Sequence, residues 1–128
     1  MDWVTVVVLL ALLQYIVFAG LVGRARGRYG VKAPAVTGNE TFERYFRVQQ
    51  NTLELLVVFV PATWFYGQYV SPTWAAILGA IYLVGRTVYL RAYVADPAQR
   101  SAGFGLSVLP ITVMVFGTLI AAGWKLLH

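Results

Sequence analysis

Arg47, Asn51 and Glu54 stand four and three residues apart in the segment FERYFRVQQNTLE, residues 42–54. On an α-helix that spacing sets a cation, an amide and a carboxylate on one stripe. A second stripe follows in Tyr82, Arg86, Tyr89 and Tyr93, with Arg100 in the short loop after Pro97. Packed as an antiparallel hairpin, two such helices bring both stripes to one membrane face. The set suits a small zwitterion bearing carboxylates: arginines clamp carboxylates in bidentate fashion, and Glu54 can receive an ammonium. Asn51 can bond an amide from either side, and tyrosine hydroxyls donate to sulfur or oxygen. An arginine beside a thiol favours the thiolate, lowering a pKa that starts at about 8.5. Spacing alone does not make the ligand a thiol.

Structural readings of the same residues stand beside this one. Glu54 can form an ion pair with Arg47 or Arg86. Glu40 and Arg44, at i and i+4, read as a solvated surface pair. Tyr82 and Arg91 suit packing and interfacial anchoring. Arg24, Arg28 and Lys32 suit topology and contact with anionic lipid headgroups. His128 is the only histidine and there are no cysteines, so no metal site, histidine base, disulfide or cysteine nucleophile is expected.

The elements that carry these residues are apolar. The chain has 128 residues, one domain by length, and is 59% hydrophobic and only 12% charged, well outside the range of soluble domains. Trp3 to Gly23, Leu55 to Gly85 and Ser101 to Trp124 hold no charge. Gly67-Gln68 and Ser71-Pro72 divide the long middle run in two. The reading is an all-α integral membrane protein of four spans, over about residues 3–24, 41–66, 72–95 and 102–127. Asn39 or Thr41 caps the second helix, and Pro61 and Pro110 predict kinks. Arg24 to Thr41, with Gly27, Gly30, Pro34 and Gly38, reads as a broken connection. Trp64, Tyr66, Tyr69, Trp74 and Trp124 form an aromatic belt at the opposite face. A cleaved signal peptide fits poorly, because Asp2 stands where a cation is wanted and the apolar run is too long.

All basic residues but Lys125 fall at one end of this layout. The positive-inside rule makes that end cytoplasmic and sends both termini to the other side. Basic residues flanking spans are topology determinants, so the net charge of +5 does not point to nucleic acid.

FERYFRVQQNTLE before an apolar run, followed by GRTVYLRAYVADPAQRS at 85–101, resembles the membrane-associated proteins in eicosanoid and glutathione metabolism, the MAPEG family. In character it is nearest to the microsomal glutathione transferases. The resemblance covers nearly the whole chain, and the two motifs in order make it specific. It implies a four-helix bundle assembled as a homotrimer, with glutathione as co-substrate between neighbouring subunits. By resemblance, Arg47, Asn51 and Glu54 hold glutathione with Gln49 nearby, Tyr89 and Tyr93 line the peptide, and Arg26 reaches a carboxylate. Arg100 matches the catalytic arginine that stabilises the thiolate.

Two departures narrow this. Leukotriene-synthesising members carry adjacent arginines at the end of helix one and a tyrosine after the helix-two glutamate. Here those second positions are Gly27 and Leu55. The resemblance therefore implies a glutathione transferase acting on lipophilic electrophiles, or also a peroxidase acting on lipid hydroperoxides. It would sit in a bacterial inner membrane or endoplasmic reticulum, with the site on the cytoplasmic face. The alternative is a non-catalytic lipid- or glutathione-binding protein of the same fold. A small multidrug exporter would want an acid deep in helix one, where none stands between Asp2 and Arg24.

Overall fold

The computed structural model describes residues 1–128 as four long helices and one short turn of 3₁₀ helix. Helix α1 spans Asp2–Tyr29, α2 Glu40–Tyr69, α3 Pro72–Ala95 and α4 Ser101–Leu127, with the 3₁₀ turn at Pro97–Gln99. Helix α1 runs on past Arg24, through residues expected to be a broken connection. Only Gly27 interrupts that stretch, and one glycine costs a helix about 1 kcal/mol. The stop comes at Gly30, whose φ of 69° and ψ of 31° make a left-handed cap that lacks a steric penalty only for glycine.

Helix α2 opens where the Asn39 side chain accepts a bond from the Phe42 amide at 3.0 Å, with Glu40 and Glu43 in the positive first turn. Ser71 caps α3 in the same way through the Trp74 amide, ahead of Pro72. Both α2 and α4 continue through their prolines, Pro61 and Pro110.

Helices α2 and α3 form the central pair. Helix α1 packs against both on one side, and α4 packs against both on the other. The main core lies between them, with Phe59 and Tyr82 stacked at 4.0 Å between centroids. The tightest seam is α3 against α4. A β-carbon added at Gly103 would lie 2.5 Å from the Tyr89 amide nitrogen, and one at Gly85 2.7 Å from the Leu106 carbonyl carbon. Small residues let these helix backbones touch, as in membrane helix pairs generally.

The outer surface is apolar, with Leu9, Ile16, Leu109, Phe116 and Ile120 all exposed. Three helical segments, Asp2–Tyr29, Pro72–Ala95 and Pro97–Leu127, are long and apolar enough to cross a membrane. Helix α2, the fourth span expected, is not among these three. Its charged first half and Glu54 leave only the remainder after Leu55, less than the roughly 20 apolar residues a span needs. Tyr66 also departs from the expected belt: it is buried in the core, its ring against Gly117, while Trp64, Tyr69, Trp74 and Trp124 are exposed.

Candidate active site

Beside the end of α1, three elements build the basic end of the molecule: the first half of α2, the last turns of α3, and the turn into α4. The Arg44 guanidinium ties the first two together. It donates to the Val94 and Ala95 carbonyls at 3.0 and 3.2 Å and meets Glu40 at 2.8 Å. The pair expected to be purely a surface contact therefore also closes the last turn of α3. Below it, Val48 of α2 packs with Phe18 and Tyr89, and Tyr93 lies against this cluster.

Arg86 sits at the centre and is fully buried. Its Nη1 donates to Asn51 Oδ1 at 2.7 Å and Thr52 Oγ1 at 3.1 Å, and its Nε donates to Ser107 Oγ at 2.9 Å. The Thr52 and Ser107 hydroxyls send their own protons to Val48 and Gly103 carbonyls, which leaves their lone pairs facing the guanidinium. The Tyr89 ring covers Arg86 at 4.4 Å. No carboxylate pairs with it, since the chain's one salt bridge is Glu40–Arg44. A buried cation is tolerated only when hydrogen-bonded; here neutral oxygens from α2 and α4 serve Nε and Nη1, while Nη2 has no partner.

Within the chain Arg86 is thus an interior strut, where the stripe alone had grouped it with the ligand candidates. Thr52 and Ser107 are the partners that sequence reasoning missed. The one available signal was Ser107, a polar residue in the otherwise apolar start of α4. Gln14 is similar, donating across to the Leu83 carbonyl and to Thr87 Oγ1.

Because a guanidinium is donor-only, Arg86 fixes the Asn51 amide with Oδ1 inward. Its NH₂ is then the group left for other partners. Asn51, expected to bond from either side, is thus set as an outward donor. Around it, Tyr89 and Tyr93 lie 5.4 Å apart between centroids. Arg86, Arg100 and Arg47 all bring charge within electrostatic reach of Tyr89. Arg47, Glu54 and Arg100 are exposed. Arg100 donates only to the nearby Pro97 carbonyl at 3.0 Å, and neither Arg47 nor Glu54 forms a salt bridge. The ion pair considered for Glu54 does not form within the chain.

The remaining candidates lie elsewhere. Arg26 donates to the Ala35 carbonyl at 2.6 Å and the Val31 carbonyl at 3.5 Å, over the Phe42 ring. It secures the α1–α2 connection. Gln49 turns toward α1, its Nε2 3.5 Å from the Tyr15 hydroxyl. One chain thus gathers Arg47, Asn51, Tyr89, Tyr93 and Arg100 and leaves Arg26 and Gln49 on the α1 side. No cluster of three metal-ligating side chains exists.

Two exposed guanidiniums and an exposed carboxylate, beside a half-buried amide, a half-buried phenol and the buried Tyr89, can hold an anionic or zwitterionic ligand. Sequence comparison identifies the lineage: residues 4–120 match the MAPEG family. This chain belongs to that family. Among MAPEG relatives, an uncharacterized Synechocystis protein is 46% identical over 97% of this chain and 90% of its own length. Microsomal glutathione S-transferase 2 of Mus musculus is 42% identical over 83% of this chain and 72% of its own. Leukotriene C4 synthase of Cavia porcellus is 34% identical over 90% and 73%.

Proposed function

We propose that this MAPEG protein is a membrane-bound glutathione transferase that conjugates glutathione to lipophilic electrophiles. The observation that carries the reading is that Arg47, Glu54 and Arg100 are exposed and free of salt bridges at the end of the molecule where Asn51 leaves its amide NH₂ for other partners. The three suit one carboxylate, the ammonium and the thiol of glutathione, and relatives named as glutathione transferases support the reading.

In this reading Arg47 takes a carboxylate, Glu54 the α-ammonium, Asn51 an acceptor oxygen, and Tyr89 and Tyr93 line the peptide. Arg100 draws the thiol toward thiolate, its proton leaving to water. The thiolate then attacks an electrophilic carbon delivered from the bilayer, and the new C–S bond forms as the leaving group departs. Arg26 and Gln49 lie on the α1 side, so they reach the same ligand only from a neighbouring subunit. That supports a homotrimer with shared sites. The clustering of basic residues at this end supports a cytoplasmic site.

The test is Arg100→Ala with the ultraviolet thiolate band followed on glutathione addition. The expected result is loss of the band and a fall in conjugation of a dinitrophenyl halide by about 10²–10³-fold, with glutathione still bound. A wild-type thiolate signal in the variant removes Arg100 from the mechanism. Wild-type protein that binds no glutathione at all removes the reading.

A further inference from the structure

Arg24 and Arg28 sit one helical turn apart on α1, on the stripe that also holds Leu21 and Ala25. Together with Tyr29 and Tyr45 these residues line a half-open pocket of 90 Å³, room for a small polar group. A groove of 410 Å³ adjoins it, walled by the same Leu21 and Tyr45 and by Leu90, Arg91, Val94 and Ala95 of α3. No acidic residue lines either space. Arg26, Arg44, Arg86 and Arg100 all donate to protein oxygens. Arg24, Arg28 and Arg91 are exposed and form no salt bridge, and Arg28 touches only the Tyr29 ring, at 5.6 Å.

We propose that this paired space is a binding site for one anionic phospholipid. The headgroup phosphate lies between Arg24 and Arg28 with the two phenols as further donors, and Arg91 lies on the rim. The ester and the first methylenes of an acyl chain follow the groove along Leu21, Leu90 and Val94. The position suits this, because Arg24 is the first charge after the uncharged run of α1, at headgroup depth. The α1 macrodipole opposes an anion there with about half a charge. Two guanidiniums outweigh it. None of these arginines belongs to the glutathione reading, so the site stands or falls apart from it.

The experiment uses the purified full chain in detergent, with native mass spectrometry after mixing with dioleoyl phosphatidylglycerol or dioleoyl phosphatidylcholine. Wild-type protein is expected to retain phosphatidylglycerol selectively. Arg24→Gln and Arg28→Gln should each weaken retention about tenfold, as for one charge-assisted contact, with unchanged melting. Lys32→Gln, an exposed cation one turn beyond Arg28, should leave it intact. Glycerol phosphate, lacking the chains, should compete poorly. Equal losses in Lys32→Gln and Arg28→Gln would show a diffuse basic surface and overturn the site. Equal retention of the two lipids, or displacement by inorganic phosphate as readily as by lipid, overturns it too. So does a failure to retain either lipid, the outcome expected if a second copy of the chain covers the cavity.

Discussion

Arg86 and Arg100 belong to the same motif, residues 85–101, yet their environments are opposites. Arg86 is sealed in the bundle, its Nε and Nη1 donating to Ser107, Thr52 and Asn51. Arg100 is exposed and tethered by a single bond to the Pro97 carbonyl. The inner layer commits Nε and Nη1 of Arg86 to the fold and leaves its Nη2 without a partner, whereas the outer rim carries exposed side chains free of salt bridges. Asn51 joins the layers, giving its oxygen to the first and leaving its NH₂ to the second. The division teaches that a polar stripe on a membrane helix is not one functional unit. Arg47, Asn51 and Glu54 share a stripe, but only Asn51 is structural as well as a ligand candidate.

The largest effect should come from breaking the inner layer. Arg86→Ala strips a donor from Asn51, Thr52 and Ser107 and opens a cavity in a fully buried position. The expected loss is about 3–5 kcal/mol, read as a lowered unfolding midpoint in detergent. Arg86→Met, which fills the space, should recover part of that loss in stability but leave Asn51 free to rotate, so that glutathione affinity stays low. Wild-type stability in Arg86→Ala would mean that the network carries no load.

Next comes the seam beneath Tyr89. Gly103→Ala would place a β-carbon against the Tyr89 backbone, which no side-chain rotation relieves. Helices α3 and α4 must then separate, at a cost of about 1–3 kcal/mol. Tyr89 is a proposed ligand contact, so affinity should fall along with the melting temperature. Paired stability and glutathione-binding measurements decide whether seam and site are coupled.

Asn51→Asp separates the two layers more finely. Aspartate keeps an oxygen toward Arg86 and gives that buried cation a counter-charge, so stability should hold or rise. On the outer side, an acceptor replaces a donor. Glutathione affinity should drop about tenfold, the worth of one hydrogen bond to a charged group, by isothermal titration. Unchanged affinity would show that the outward NH₂ contacts no ligand.

Helical period carried much of this architecture in the sequence. Uncharged runs marked the apolar helices, and the Arg47–Asn51–Glu54 spacing marked a polar stripe. What periodicity does not carry is rotation about the helix axis relative to a partner helix. The inward turn of Arg86 depends on Thr52 and Ser107 presenting lone pairs across two interfaces, and no local pattern encodes that. The burial of Tyr66 and the continuation of α1 to Tyr29 were hidden for the same kind of reason. One depends on Gly117 in another helix, the other on Gly30 being the only position to adopt the left-handed cap.

The smallest effect belongs to the outermost contact. Glu40 meets Arg44 at 2.8 Å, but its side chain is 83% exposed, so water and salt screen most of the attraction. Arg44 is held separately by the Val94 and Ala95 carbonyls and does not need Glu40 to stay in place. Glu40→Gln should therefore cost about 0.5 kcal/mol or less, a shift in unfolding midpoint that fades further in high salt. Arg44→Ala, by contrast, frees the last carbonyls of α3 and should loosen the turn that leads to Arg100, so conjugation should suffer before stability does. If Glu40→Gln instead destabilised the protein as much as Gly103→Ala, the exposed rim would be carrying structural load. The reading of Arg47, Glu54 and Arg100 as donors and acceptors held free for a ligand would then lose its basis.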